Sequence, residues 1–198
     1  MQVEAIFRSA IRLHQEGLKI KPKIMIPLIA DKKELDFVKS YLNEHIQCLF
    51  NEYEQKAFPY EIGTMIELPR ACLTADKLAQ EADFFSFGTN DLTQMTYGFS
   101  RDDIGKFIGH YKKKDILSSD PFQNIDKDGV GELMRIAISK ARKVRPSLSI
   151  GICGEVGGDP ASISFFQEID VTYVSCSPYR VPAARLAVAQ AVLQEERS

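Results

Sequence analysis

Short apolar runs alternate with stretches of helical periodicity along most of the chain. Apolar runs of about 4–8 residues bounded by polar or turn residues are typical of buried strands, whereas apolar residues recurring every three or four positions predict amphipathic helices. The runs predict five strands, at residues 23–29, 63–68, 84–87, 148–153 and 171–176. The periodic stretches predict helices at residues 2–16, 33–55, 74–81, about 128–145 and 181–196. This alternation predicts an α/β fold with a parallel sheet that is buried on both faces.

The number of strands is small for a closed parallel barrel. An eight-stranded (β/α)8 barrel of the TIM type typically needs about 250 residues, whereas this chain has 198. We therefore predict one domain over residues 1–198 that forms the later part of such a barrel, with its first strands absent. The first helix begins at once, with no capping residue before it, which is also what a piece of a larger protein would show.

One connection is much longer than the others. Residues 100–147 separate two predicted strands, whereas a strand–helix loop usually has about 2–6 residues. We expect this excursion to lie over the ends of the strands. Within it, Asn124-Asp126-Asp128-Gly129 resembles the start of a calcium loop, but Arg135 stands at the position that requires a bidentate Glu. No calcium site is predicted.

Composition excludes several classes of function. The formal net charge is -2, which provides no electrostatic footprint for nucleic acid. No apolar run approaches bilayer length, and the first residues lack a secretory signal. Cys48, Cys72, Cys153 and Cys176 show neither CxxC pairing nor zinc-ligand spacing, which favours a reducing compartment. We expect a cytoplasmic protein with no nucleic-acid partner and no membrane partner.

Two carboxylates occur at the ends of neighbouring predicted strands. Glu67 and Asp91 lie in consecutive strand–helix units, and adjacent strands are about 4.8 Å apart. Two carboxylates this close repel each other unless a cation lies between them. Mg²⁺ typically takes one or two carboxylates together with water and substrate oxygens. The alternative is that each carboxylate pairs with a nearby Lys or Arg, and the spacing alone leaves both possibilities open.

The residues around these carboxylates are small and polar. Gly88 and Thr89 can bring backbone N–H groups close to a ligand, and Asn90 offers both a donor and an acceptor, although Gly88 could instead serve only a tight turn. Cys153 lies between Gly151 and Gly154 at another strand end. A cysteine there could carry a proton, whereas Cys48, Cys72 and Cys176 are expected to be inert core residues.

Three motifs resemble those of a known family. The stretch DFFSFGTNDLTQ at residues 83–94, followed by Gly98 and Arg101, resembles the signature of the phosphoenolpyruvate-utilising enzymes. The sequences GTMIE at residues 63–67 and ICGE at residues 152–155 resemble the companion motifs. The resemblance extends over essentially the whole chain.

The resemblance implies a role for each candidate residue. Glu67 and Asp91 would hold Mg²⁺ beside pyruvate or phosphoenolpyruvate, and Cys153 would deliver or remove the proton at the methyl or methylene carbon. The residues implied to line the substrate site are Glu67, Gly88, Thr89, Asn90 and Asp91. The family also implies a partner domain that carries a phosphohistidine, and a homodimeric parent enzyme.

Two further segments favour one branch of this family. Residues 101–107 and 174–186 resemble the branch that interconverts ATP, pyruvate and phosphate with AMP, phosphoenolpyruvate and pyrophosphate. Val156 departs from the His that usually follows Cys-Gly-Glu in that branch. The alternatives are phosphoenolpyruvate synthase, enzyme I of the sugar phosphotransferase system, or a non-catalytic dimerisation or docking module. Because no phosphohistidine motif or nucleotide-binding domain is present, we expect the chain to be inactive alone.

Overall fold

A single parallel sheet organises the protein. The structure, a computed structural model, describes residues 1–195. The strands are β1 Lys23–Ile26, β2 Glu61–Ile66, β3 Phe84–Gly88, β4 Ser149–Cys153 and β5 Tyr173–Val174. They pair in sequence order and every pairing is parallel. The predicted α/β fold with a five-stranded parallel sheet is therefore confirmed.

Nine α-helices connect and flank the strands within the described residues. They are α1 Gln2–Gln15, α2 Lys32–Glu52, α3 Pro69–Leu73, α4 Ala75–Leu78, α5 Thr89–Tyr97, α6 Ile108–Lys113, α7 Val130–Val144, α8 Pro160–Glu168 and α9 Val181–Glu195. Short 3₁₀ helices occupy Ile104–Lys106, Glu155–Gly158 and Pro178–Arg180. None of the described helices is long and apolar enough to cross a bilayer. Residue 196, the last of the predicted final helix, lies outside the described residues.

Several boundaries differ from those predicted. The helix expected at residues 74–81 is shortened to α4, and α3, α5 and α8 were not predicted at all. The first strand ends at Ile26 rather than residue 29, because Leu28 turns the backbone into the left-handed region with φ 55°. The last strand is reduced to two residues.

Apolar side chains on one face of the sheet form the core. Phe85 and Phe87 of β3, together with Ile150 and Ile152 of β4, are fully buried in the main cluster. These alternate positions face one side of the sheet, where α3, α4 and α7 also contribute to the cluster. A second cluster fills the space between α1, α2 and the first two strands, and it is built around Phe7. Ile62 of the second cluster lies on the same face as Phe85, because Phe85 pairs with Thr64, two positions further along β2.

The long excursion predicted at residues 100–147 is partly helical. Its first half contains α6, and its side chains Phe107 and Tyr111 form an aromatic cluster with Tyr97 and Phe99, which precede the excursion. Its second half, α7, packs against α3 and α4. At the strand ends the excursion is tied to the segment after β4, since Arg101 forms an ion pair of 3.2 Å with Glu155.

Candidate active site at the carboxyl ends of the strands

The register of the strands brings the candidate residues to one edge of the sheet. Ile66 pairs with Phe87, and Gly88 pairs with Cys153. Glu67 directly follows Ile66, so it lies beside Gly88, which in turn lies beside Cys153. Because β3 passes into α5 without a loop, Asn90 and Asp91 lie in the first turn of that helix. Residues that are up to 86 positions apart in sequence therefore converge on one location.

One oxygen of the Glu67 carboxylate is fixed by a hydrogen bond. The residue is 2% exposed, and its Oε1 accepts a hydrogen bond of 2.7 Å from the backbone N–H of Leu28. Its Oε2 lies over Gly88, where an added Cβ would overlap it and would also lie 2.7 Å from Met65 Sδ. Only glycine at position 88 leaves this space for the carboxylate.

The pair of carboxylates has no basic partner among residues 1–195. Burial raises the pKa of Glu67, the Leu28 N–H opposes this, and the nearby Asp91 carboxylate raises the pKa further. Within residues 1–195, neither carboxylate forms an ion pair with Lys, Arg or His. The pairing with a basic residue that the sequence left open is therefore not found in the part of the chain that the structure describes.

This donor set fits a hard divalent cation. No group of three or more His, Cys, Asp or Glu side chains suited to a metal occurs among the described residues. Mg²⁺, however, usually keeps several waters and binds proteins through one or two carboxylates together with substrate oxygens. The repelling pair of the buried Glu67 and the half-buried Asp91 matches that requirement. Asn90 adds a further oxygen, since its Oδ1 is buried without a hydrogen-bond partner in the described residues.

Thr89 connects the start of α5 to the end of β4. Its hydroxyl donates a hydrogen bond of 3.0 Å to the backbone oxygen of Cys153, and the residue is buried. Gly154 follows with φ 118°, and an added Cβ there would overlap the Thr89 hydroxyl and lie 3.5 Å from Asn90 Oδ1. The loop after Cys153 thus packs directly against the first turn of α5.

Cys153 is held as a neutral thiol. Its Sγ donates to the backbone oxygen of Phe87 at 3.3 Å. Burial raises the pKa of this thiol, the Ser86 hydroxyl opposes the rise, and the charges of Glu67 and Asp91 raise it further. A protonated thiol suits a proton donor better than a nucleophile, which requires the thiolate.

The other cysteines differ from the expectation that all three are core residues. Cys72 is buried, and burial raises its pKa to about 12. Cys48 is exposed and Cys176 is partly buried, so the core prediction is correct for Cys72 and wrong for Cys48. None of the four is paired in a disulfide.

Sequence reasoning missed two polar residues beside the thiol. The Ser86 hydroxyl interacts with both the Cys153 thiol and the Tyr173 phenol, and burial raises the pKa of Tyr173. The Tyr173 ring lies over Gly151, where a Cβ would overlap it. A serine buried within the apolar run FFSF is the signal that could have identified Ser86.

The arginines near the site are engaged with other residues. Arg101 pairs with the Glu155 side chain, and Arg180 donates to the Glu155 backbone oxygen at 3.1 Å. Arg70 pairs with Asp31 at 3.0 Å. Each of these three arginines therefore has a partner other than Glu67 or Asp91.

Replacing Gly88 by Ala should damage the carboxylate site selectively. The added methyl group would displace the Glu67 side chain, so we expect at least about tenfold weaker Mn²⁺ binding, corresponding to about 1.4 kcal/mol. Gly109→Ala is the matched control, because a Cβ there meets open space. Calorimetric titration of both variants measures the difference, and equal affinities would show that Gly88 does not shape the site.

Comparison with known proteins identifies the family. A model of the PEP-binding domain of PEP-utilising enzymes matches residues 1–193, and the chain therefore belongs to that family. Over 197 residues it is 55% identical to pyruvate, phosphate dikinase of Clostridium symbiosum, with 99% of this chain and 22% of the relative covered. It is 53% identical to the chloroplastic pyruvate, phosphate dikinase of Mesembryanthemum crystallinum, with 97% and 20% covered. The chain thus spans about a fifth of the length of these curated relatives.

A solved structure also resembles the fold. A citrate lyase from Burkholderia xenovorans LB400 aligns with a TM-score of 0.53 at 15% identity, over 84% of this chain and 48% of that chain. At this level of identity the likeness supports the α/β architecture alone.

Proposed function

We propose that this chain forms the pyruvate- and phosphoenolpyruvate-binding part of a pyruvate phosphate dikinase. That enzyme interconverts ATP, pyruvate and phosphate with AMP, phosphoenolpyruvate and pyrophosphate. The observation that carries the proposal is the pair of Glu67 and Asp91, which has no basic partner among residues 1–195, at the same strand edge as Cys153. The reported relatives are pyruvate phosphate dikinases, which favours this branch over phosphoenolpyruvate synthase and enzyme I.

Glu67 and Asp91 are the residues that would hold Mg²⁺. Glu67 Oε1 is already engaged by Leu28, so Oε2 is the oxygen left to bind the ion. Bound Mg²⁺ would supply a Lewis acid for the oxygen that becomes negative in the enolate. Removing the ion would leave two carboxylates repelling each other and would also repel an anionic substrate.

The first turn of α5 would orient the substrate. The N–H groups at the start of a helix attract anions, and here they belong to Thr89, Asn90 and Asp91 next to Gly88. The Thr89 hydroxyl already donates to the backbone oxygen of Cys153. The backbone N–H of Thr89 is therefore the group that would bind the substrate. The Asn90 amide would contact the substrate carboxylate or enolate oxygen.

Cys153 would move the proton at the substrate carbon. In the direction of pyruvate formation, the S–H bond breaks as a C–H bond forms at the methylene carbon of the enolate, and the thiolate remains. In the reverse direction, the thiolate takes a proton from the methyl group. The Ser86 hydroxyl, which also contacts Tyr173, would hold the sulfur in place and stabilise the thiolate.

We also propose an architecture and an assembly for the parent enzyme. The five strands would be the later part of a TIM-type barrel within a domain over residues 1–198. A separate domain would supply the phosphohistidine, and the parent enzyme would be a cytoplasmic homodimer. Val156 departs from the family motif, and its side chain is buried in the main core. The effect of this departure would therefore be confined to the packing of the loop after Cys153.

Calorimetry of Mn²⁺ binding, with and without oxalate as an enolate mimic, tests this function. We expect oxalate to tighten Mn²⁺ binding to the wild-type chain, because oxalate completes the coordination of the ion. Asp91→Asn should weaken binding by at least about a hundredfold, which is about 2.7 kcal/mol. A folded wild-type chain that binds no Mn²⁺ would contradict the proposal and would favour a dimerisation or docking module.

The chain alone should have no dikinase activity. In this proposal, the site would supply groups for the metal, the substrate and the proton, and the phosphoryl group would arrive on a histidine of another domain. We therefore expect no ATP- and phosphate-dependent conversion of pyruvate by the purified chain, measured by coupled assay of phosphoenolpyruvate. Detectable turnover that persists in Cys72→Ala but disappears in Cys153→Ala would overturn this expectation.

A further inference from the structure

Leu28 has an unusual backbone conformation next to the site. It lies two residues beyond the end of β1, and its φ of 55° places it in the left-handed region. The other non-glycine residues with positive φ in the described part of the chain are acidic: Glu54, Asp115 and Asp170. For a residue with a Cβ this conformation costs free energy, and such strain is often found at functional sites.

Packing of the Leu28 side chain does not account for the strain. The residue is 54% exposed, so little apolar burial offsets the cost of the left-handed backbone. What the conformation does provide is a hydrogen bond across 39 positions of sequence, from the Leu28 N–H to Glu67 Oε1 at 2.7 Å. That distance is typical of a strong hydrogen bond to a charged acceptor.

This hydrogen bond decides which oxygen of Glu67 is available. With Oε1 engaged by Leu28, Oε2 is left over Gly88 at the edge where Asp91 and Cys153 converge. Without the N–H, the carboxylate could rotate away from Asp91 and relieve their mutual repulsion. The Glu67 carboxylate would then adopt several orientations, and only some of them would let it bind a cation together with Asp91.

We propose that Leu28 is a positioning residue that holds the Glu67 carboxylate in its ion-binding orientation through its left-handed backbone N–H. The inference rests on the proposed function, because the orientation matters only if Glu67 binds a cation. It assigns a role to a residue outside the three sequence motifs, and to its backbone rather than its side chain. The exposed leucine side chain is not required for this role.

Replacing the amide at position 28 with an ester tests the inference. Incorporation of leucic acid removes the N–H while keeping the side chain. The matched control is an ester at Ala30, whose N–H donates to the Glu34 carboxylate at 2.9 Å in the same loop. We expect Mn²⁺ affinity to fall about tenfold or more in the first ester and less than about twofold in the second, with similar losses in Tm for both.

Two ordinary substitutions provide a second test. Leu28→Gly keeps the N–H and adopts positive φ without strain, so its Mn²⁺ affinity should stay within about twofold of wild type. Leu28→Val keeps the N–H but resists the left-handed region, because its side chain is β-branched. The Val variant should therefore bind Mn²⁺ about tenfold more weakly.

The outcomes separate this inference from the proposed function. If the wild-type chain binds Mn²⁺ and the Leu28 ester binds it equally well, the inference is overturned while the proposed function stands. Should the ester fail to fold, equal affinities of the Gly and Val variants would overturn it in the same way. A folded wild-type chain without Mn²⁺ affinity would overturn the proposed function and the inference together.

Discussion

Replacing Glu67 by Gln should stabilise the metal-free protein at pH 8 and abolish its binding of Mn²⁺. Burial and the Asp91 charge raise the pKa of Glu67 above its ordinary value of 4.5. Between the ordinary pKa and the raised pKa, the folded state therefore binds more protons than the unfolded state. The free energy of unfolding falls as pH rises through that range. Gln carries no charge, and its side-chain oxygen can still accept the hydrogen bond from the Leu28 N–H. The variant therefore does not lose stability as pH rises through that range.

Calorimetric unfolding at pH 4 and pH 8 measures the effect on stability. We expect the Tm of Glu67→Gln to exceed that of wild type by a few degrees at pH 8 and by less at pH 4, since about 1 kcal/mol shifts Tm by about 2–4 °C in a protein of this size. Saturating Mn²⁺ should raise the Tm of the wild type and leave that of the variant unchanged.

Glu61→Gln is a control of opposite sign. Ion pairs with Lys21 and Lys23 hold the pKa of Glu61 below its usual range. Its contribution to stability is therefore present above the ordinary pKa and lost as pH falls, so this substitution should lower Tm at pH 8 and leave Mn²⁺ binding intact. If Glu67→Gln also lowered the Tm at pH 8, the two carboxylates would not be in repulsion.

Replacing Cys153 by Ala should abolish proton exchange while leaving the metal site intact. A positioned acid or base contributes about 10²–10⁴-fold to rate, and Cys153 is the thiol whose pKa the charges of Glu67 and Asp91 raise. We expect exchange of the pyruvate methyl protons with D₂O, followed by NMR in an enzyme that joins this domain to its phosphohistidine-bearing portion, to fall by at least about a hundredfold.

Binding measurements separate chemistry from folding in this variant. Oxalate has no carbon that accepts a proton, so the affinity for Mn²⁺ and oxalate should stay within about twofold of wild type, a change of less than about 0.5 kcal/mol. Cys72→Ala is the matched control: it removes a buried thiol from the core, so it should lower Tm but leave exchange unchanged. Exchange at the wild-type rate in Cys153→Ala would assign the proton to another group.

The fold could largely be predicted from the pattern of apolar residues. Strands buried on both faces leave continuous apolar runs such as FFSF, and all five runs became strands. Helix α5 was missed because its first turn consists of Thr89, Asn90 and Asp91, which are more typical of a loop. Helix α8 was also missed, although Asp159 and Pro160 are a recognisable start: Asp159 accepts from the Ser162 N–H at 2.9 Å.

The site was only partly predictable, since its contacts depend on register. Sequence could place Glu67, Asp91 and Cys153 at one edge of a parallel sheet, because each follows or ends an apolar run. It could not show that Leu28 donates to Glu67, nor that Ser86 lies between Cys153 and Tyr173. Those contacts join strands that are distant in sequence, and one of them requires a left-handed leucine that no propensity would favour.

A crystal structure of the chain grown with Mn²⁺ and oxalate, with anomalous data to locate the ion, tests the central claim most directly. The account predicts one ion within about 2.5 Å of Glu67 Oε2 and of an Asp91 carboxylate oxygen, with oxalate bound to it near the first turn of α5. An ion bound elsewhere, or a Glu67 carboxylate that pairs with a basic residue while the ion is absent, would contradict it.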